Sequence, residues 1–430
     1  MQFTFLIQTV QLENRPCLIN NLMRIPLRTL LGVMLPLFLL FNKPVAGQNF
    51  VSVKGKDIID PNGNKLILKG TNLGNWLVPE GYMFKFNDVN SPDAIDRVFK
   101  ELIGPEETAK FWDQYLNTYI TEEDIQYIKK TGANHIRLPF HYKMFTSENY
   151  LNGENKGFIY LDRIVDWSTK AGLWVQFDMH CAPGGQTGDN IDDSYGYPFL
   201  FESDSMQKQT VDIWRKIAAR YKDNVTVLGY DLLNEPIAHY FSNKEALNTK
   251  LEPLYKQIVS AIRESDKNHI VFLGGAQWNT NFSIFGAPFD SKAVYTFHKY
   301  WMPVNEGEIF NFLAFRKKYN VPLYLGESGE NTDEWVNSFR ELLEKNEISW
   351  CFWPYKKMKN TKGMINFKEP ELYPLLSSYA TSDRSRYSNI RAHRPDVTKI
   401  KTALDEFIEN SKFKNCFPNE GYIKALGLKP

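Results

Sequence analysis

Eight short apolar runs, separated by longer amphipathic stretches of helical period, predict an α/β chain folded as one (β/α)8 TIM barrel. Two further observations point the same way. Several runs end in a polar residue, and two end in a glutamate: Val227-Leu-Gly-Tyr-Asp-Leu-Leu-Asn-Glu-Pro236 and Pro322-Leu-Tyr-Leu-Gly-Glu-Ser328. A carboxyl at the tip of a buried strand costs stability and therefore calls for a function. The 430 residues also carry no internal repeat, Pro/Ser-rich linker or low-complexity tract, so a single domain accounts for positions 48–430.

In chain order the expected strands are 66–73, 135–140, 174–179, 227–233, 270–273, 293–297, 322–325 and 348–353. The helix-like stretches between them include 106–130, 161–171, 207–221, 245–265 and 332–346. The last opens on Thr332-Asp-Glu, an N-cap followed by acids suited to the positive end of the helix dipole. Positions 274–292 carry no clear helical period, so a loop is expected to replace the helix after the fifth strand. The segments 74–100, 181–206 and 274–291 are expected to project from the strand tips and shape a cleft. A helix-like stretch at 395–411 is expected to pack on the barrel as a tail.

Ahead of the barrel, Arg24 and Arg28 precede the apolar run 30–41, and small residues surround Ala46 to Gln48. That order predicts an export signal over 23–47, with cleavage leaving 48–430. The run is shorter than the about 20 apolar residues that span a bilayer. Residues 1–22, with Glu13, Asn14 and Cys17, do not resemble a signal and read as lying upstream of a natural start at Met23. No cysteine stands at the cleavage site, so no lipid anchor is expected there, and no membrane insertion is expected after signal removal. The expected destination is secreted: the medium, the cell surface or a periplasm.

Lys plus Arg (51) balance Asp plus Glu (50), with no long charge run, which excludes nucleic acid and an anionic membrane surface as partners. Aromatic residues form 14% of the chain, enough for a large core and for stacking flat ligands. Of the cysteines beyond the signal, Cys181, Cys351 and Cys416, the first two fall in or beside apolar strands and read as buried free thiols. No zinc-type spacing is present, and neither a metal nor a cofactor is expected. The expected oligomeric state is a monomer.

The strand tips of such a barrel face one mouth. In order they offer Asn72 and Trp76, Arg137, His180, Asn234 with Glu235, His298 and Tyr300, Glu327, and Trp353. Singly, Arg137 reads as an ion-pair partner and Trp353 as core. A polar or aromatic tip on nearly every strand reads as a site. Breaking a glycosidic bond passes through an oxocarbenium-like state and needs a proton on the leaving oxygen. Glu235, among apolar neighbours, is the expected acid/base, because desolvation raises a carboxyl's pKa. Glu327 is the expected nucleophile, kept ionised by Arg137 and the Tyr300 hydroxyl. Asn234 suits a sugar's 2-hydroxyl, His180 and His298 suit neutral donors, and Trp353 offers a flat face to a pyranose ring.

From about residue 50 to 380 the chain resembles glycoside hydrolase family 5, within the clan of (β/α)8 retaining glycosidases. Gly229-Tyr-Asp-Leu-Leu-Asn-Glu-Pro236 is similar to the family's acid/base signature, and the resemblance continues in His135-Ile-Arg-Leu-Pro-Phe140, Phe297-His-Lys-Tyr-Trp301 and Leu325-Gly-Glu-Ser328. It implies Glu235 as acid/base, Glu327 as nucleophile, and supporting places for Arg137, His180, Asn234, His298, Tyr300 and Trp353. Lys69-Gly-Thr-Asn-Leu-Gly-Asn-Trp-Leu-Val78 and Asp178-Met-His-Cys-Ala-Pro-Gly-Gly-Gln186 are similar to exo-β-1,3-glucanase and glucosidase members. The chain departs from them at Cys181, in the loop bearing Asp189, Asp192 and Asp193, and at Ser328, where many relatives carry an aromatic residue.

The expected activity is therefore hydrolysis of a β-glucan, β-1,3- or β-1,4-linked, by a secreted retaining enzyme, with its carboxyl groups about 5–5.5 Å apart. A β-mannanase, or a hydrolase of another β-glycan or a glycolipid, would use the same mechanism. A silent carbohydrate-binding barrel would keep Trp76, Trp301 and Trp353 but would not need both acids. Metal-dependent hydrolysis lacks ligand spacing on a shared element.

Overall fold

The computed structural model describes residues 50–189 and 191–430; the expected export signal and the segment upstream of it lie outside the described residues. Eight parallel strands close a barrel: β1 (Lys69–Asn72), β2 (His135–His141), β3 (Trp174–Cys181), β4 (Val227–Asp231), β5 (Ile270–Gly274), β6 (Ala293–His298), β7 (Leu323–Glu327) and β8 (Ser349–Phe352). Closure comes where Trp350 and Cys351 of β8 pair with Lys69 and Gly70 of β1. Nearly every strand residue is buried, because helices cover the outside and side chains fill the inside. The expected (β/α)8 architecture is the one observed.

The strands match their expected positions, and three are shorter, β8 by one residue at each end. β1 begins at Lys69 rather than 66 because Leu66 donates its N–H to Ile58 O of an N-terminal hairpin, Ser52–Lys54 with Asp57–Ile59. β4 stops at Asp231, and its last expected residues join the turn that carries Asn234 and Glu235.

The single helix expected over 106–130 is two, Pro105–Thr118 and Glu122–Lys130. Thr121 breaks them: its N–H donates to Asp124 Oδ2 at 2.8 Å in a capping box that starts a new helix. The segment 74–100, expected as a loop, holds the helix Pro92–Ile103, started by Ser91 as N-cap and Pro92 in the first turn. After β5 no full-length helix forms, as expected. Only the short turns Ala276–Asn279 and Phe282–Ile284 occupy that connection.

The tail helix, Val397–Ser411, packs through Phe407, which stacks on Phe84 at 5.4 Å and on Tyr373 at 5.6 Å. Beside it, the strands Lys356–Met358, Ile365–Phe367 and Phe417–Pro418 form a small sheet. Cys181, Cys351 and Cys416 are all free thiols. Among the described residues, no helix is long and apolar enough to cross a membrane.

Candidate active site

Arg137, the third residue of β2, points into the barrel and is fully buried. Leaving a guanidinium there without partners would be prohibitive, and it has five. Nε donates to Asp231 Oδ2 at 2.8 Å, and Nη1 donates to Asn72 Oδ1 at 3.0 Å and to Glu327 Oε1 at 2.6 Å. Nη2 donates to Asn234 Oδ1 at 2.9 Å and lies 3.0 Å from Asp178 Oδ1. One cation thus serves three carboxyl groups on three strands. Burial pushes Asp178 and Asp231 up to about 7, against the pull of Arg137, so near neutrality the cluster retains protons.

Glu327 ends β7, with Arg137 on Oε1 and the Tyr300 hydroxyl donating to Oε2 at 3.1 Å. Burial holds the Tyr300 phenol well above its ordinary value, so it remains a donor. Glu235 lies four residues past β4, on left-handed backbone at φ +46. Such strain in a non-glycine residue persists only where the surroundings fix it. Thr187 Oγ1 donates to Glu235 O at 2.9 Å, and Ile237 N donates to Gln186 O at 2.8 Å. The buried Gln186 amide stitches the turn to β3, donating to His180 O at 2.7 Å and to Asn234 O at 2.8 Å.

The two glutamates approach each other through His298. Its Nδ1 lies 2.9 Å from Glu235 Oε1 and 3.7 Å from Glu327 Oε2. One carboxylate oxygen of each glutamate comes within 4.8 Å of the other. Burial pushes Glu235 up to about 7, Asp189 adds to the push, and His180 and Arg137 oppose it. Burial also lowers His180 to about 4 and His298 to about 3, so both rings are neutral near pH 7. His180 bonds Asp178 Oδ2 through Nδ1 at 2.7 Å and stacks on Trp353, ring centres 5.6 Å apart and planes 7° from parallel.

These groups open into a cleft of about 790 Å³, the size of a sugar-binding site, lined by His180, Glu235, His298, Tyr300, Glu327 and Trp353. Arg137 and Asn234 do not line it: both are fully buried, Arg137 bonded to Glu327 and Asn234 in contact with His180. Trp76 is the correction. It is fully buried in the outer layer, donating Nε1 to Leu116 O at 3.0 Å and packing on Tyr160 and Trp167. Left-handed backbone at Asn75, φ +64, turns the chain just before it, and Trp76 is no part of the cleft wall.

Sequence reasoning missed several residues of the wall. Glu80 is buried, with Oε1 3.9 Å from His180 Nε2 and without a hydrogen bond. Burial, then the nearness of Glu327 and Glu235, pushes its carboxyl well above the ordinary range. On the rim, Trp353 Nε1 donates to Tyr82 OH at 2.7 Å, and Tyr82 donates to Glu330 at 3.0 Å. Glu330 is paired in turn with Lys357 at 2.7 Å, and Trp278 completes the mouth beside Trp301, which the sequence offers as a stacking surface. The one signal for Glu80 was an acid immediately after the apolar run Trp76-Leu-Val-Pro79.

Donor atoms of Asp178, His180 and Glu327, and of Glu235, His298 and Glu327, gather within 4.8 Å. A dication there would face the fixed charge of Arg137, which already occupies Glu327 Oε1. The clusters therefore suit proton transfer better than metal binding.

The family model described as Cellulase (glycosyl hydrolase family 5) matches residues 99–359. A β-xylosidase of Phanerodontia chrysosporium is 28% identical over 373 residues, covering 76% of this chain and 75% of the relative. A probable glucan 1,3-β-glucosidase A of Aspergillus fumigatus is 30% identical over 292 residues, covering 64% of this chain and 67% of the relative. The crystal structure of endogalactoceramidase, 16% identical, matches 88% of this chain and 84% of its own with a TM-score of 0.57, a likeness of fold. The chain, a glycoside hydrolase, belongs to glycosyl hydrolase family 5.

Proposed function

We propose that this enzyme is a secreted, retaining β-glycosidase that cleaves a β-glucan by double displacement, with Glu235 as acid/base and Glu327 as nucleophile. The observation that carries the reading is the carboxylate pair: oxygens within 4.8 Å, in two unlike environments. An inverting pair needs about 6.5–9.5 Å to admit a water between carboxyl and sugar, and a retaining pair needs less. Arg137 and Tyr300 donate to the two oxygens of Glu327 and fix its orientation, while burial favours the protonated form of Glu235 near neutrality.

In the first step Glu327 attacks the anomeric carbon as Glu235 gives its proton to the departing oxygen. In the second, the Glu235 carboxylate takes a proton from water, which attacks the same carbon and releases Glu327. Asn234, its Oδ1 held by Arg137 and its Nδ2 3.4 Å from His180 Nε2, is the residue assigned to the 2-hydroxyl. Trp353, clamped between His180 and Tyr82, offers its ring to the sugar's apolar face. The relatives' names, a probable glucan 1,3-β-glucosidase among them, support a β-linked glucan. Export by the segment 23–47 would bring the enzyme to such a polymer outside the cell.

The test is to incubate the protein with laminarin, cello-oligosaccharides, mixed-linkage glucan and mannan and to follow the sugars released. Glucose from laminarin supports β-1,3-glucan and attack at the chain end; oligomers from a β-1,4-glucan chain support the β-1,4 reading and attack within the chain. Turnover of mannan alone would overturn the glucan reading.

A further inference from the structure

Immediately after β5, three consecutive residues, Gln277, Trp278 and Asn279, take left-handed backbone at φ +49, +58 and +60. L-residues avoid this conformation, and a run of three is held only by its surroundings. The Gln277 and Asn248 amides bond each other in both directions: Gln277 Nε2 donates to Asn248 Oδ1 at 2.8 Å, and Asn248 Nδ2 donates to Gln277 Oε1 at 3.3 Å. Asn281 Nδ2 donates to Gln277 Oε1 at 2.8 Å, and Thr280 Oγ1 donates to Gln277 O at 2.6 Å.

This turn delivers the Asn279 amide, fully buried, to the ring of His298. Asn279 Nδ2 lies 3.1 Å from His298 Nε2, and the ring's other nitrogen lies 2.9 Å from Glu235 Oε1. Room for the amide depends on Gly274, where an added Cβ would come within 2.2 Å of Asn279 Oδ1. In this orientation the amide N–H meets a lone pair on Nε2, which puts the ring hydrogen on Nδ1, facing the Glu235 carboxyl.

We infer that Asn279 is a positioning residue: it holds neutral His298 in the tautomer that donates through Nδ1 to Glu235, and so stabilises the Glu235 carboxylate needed to activate water. The inference rests on the acid/base reading of Glu235. Burial alone would keep Glu235 protonated and make it a poor base in the second step. The Nδ1–H bond opposes that push without placing a second cation in the site. Other charged or titratable groups bearing on Glu235 and His298 are Glu327, Arg137, His180, Asp178, Asp189, Glu80 and Tyr300. All of them remain in an Asn279 variant.

The test uses the full chain labelled with ¹⁵N-histidine, together with Asn279→Asp and Asn279→Leu. The parent should show His298 protonated at Nδ1. Asn279→Asp, of nearly the same shape, accepts instead of donating and should move the hydrogen to Nε2. The basic limb of kcat/KM should then rise by about one pH unit. With an activated aryl glycoside, whose turnover is limited by the second step, kcat should fall about tenfold. Should Asn279→Leu fail to fold, the near-isosteric Asp variant carries the comparison. An Nε2-protonated His298 in the parent, or an unmoved pH profile in a folded Asp variant, would overturn the inference. The ring spectrum does not depend on turnover, so a failure of the acid/base reading, seen in Glu235→Ala, is distinguishable from a failure here.

Discussion

Arg137 Nη1 lies 2.6 Å from Glu327 Oε1, and the same guanidinium spans Asp178 and Asp231. The orientation of Glu327, the proposed nucleophile, and the stability of the barrel interior therefore depend on one buried cation. Asn72 and Asn234 satisfy its remaining N–H groups. This arrangement leads to the first prediction.

Arg137→Lys keeps the charge but cannot reach all five partners. It should lose at least about 100-fold in kcat, by analogy with removal of a single electrostatic donor. Arg137→Ala should also destabilise the fold by about 3–5 kcal/mol, because buried carboxyls lose their partner. Steady-state kinetics and urea unfolding check both.

Burial pushes Glu235 up to about 7, and the acid role proposed for it requires the protonated form. The basic limb of kcat/KM should therefore fall at about pH 7. A limb unchanged in Glu235→Gln would show that another group controls it.

The same shift has a stability consequence. Asp178, Asp231 and Glu235 titrate near 7 in the folded chain, against ordinary carboxyl values of about 4 when unfolded. Between those values the folded state holds more protons, so these groups' contribution to stability falls as pH rises from about 4 to 7. Glu235→Gln removes one share, on the order of 2 kcal/mol, and its melting temperature should drop less than the parent's between pH 5 and 8. Calorimetry at several pH values measures the difference.

Glu235→Ala should cost about 10²–10⁴-fold on substrates with poor leaving groups and far less on activated aryl glycosides. Equal losses on both would remove the acid role from Glu235.

The barrel was legible because parallel strands buried on both faces read as continuous apolar runs, and their polar tips stood out against them. Arg137, His298 and Glu327 could be placed for that reason: each lies within or at the end of a strand, where the register fixes its direction. Glu80, Gln186 and Asn279 could not, because they reach the site from loops whose paths depend on left-handed residues and side-chain locks. Trp76 shows the same limit from the other side. A single left-handed residue, Asn75, sends an apparent tip residue into the outer packing.

That difference is measurable. Trp76→Ala should cost about 3–5 kcal/mol in stability and leave KM nearly unchanged in the folded protein. Trp353→Ala should instead raise KM by removing a stacking face worth on the order of 1 kcal/mol.

The most direct test of the mechanism follows the anomer first released, by ¹H NMR, as the enzyme cleaves a β-linked gluco-oligosaccharide. Two displacements through Glu327 predict the β anomer first, with the α form growing only at the rate of mutarotation. The α anomer first would mean a single inverting displacement, and would contradict the roles assigned here to Glu235 and Glu327.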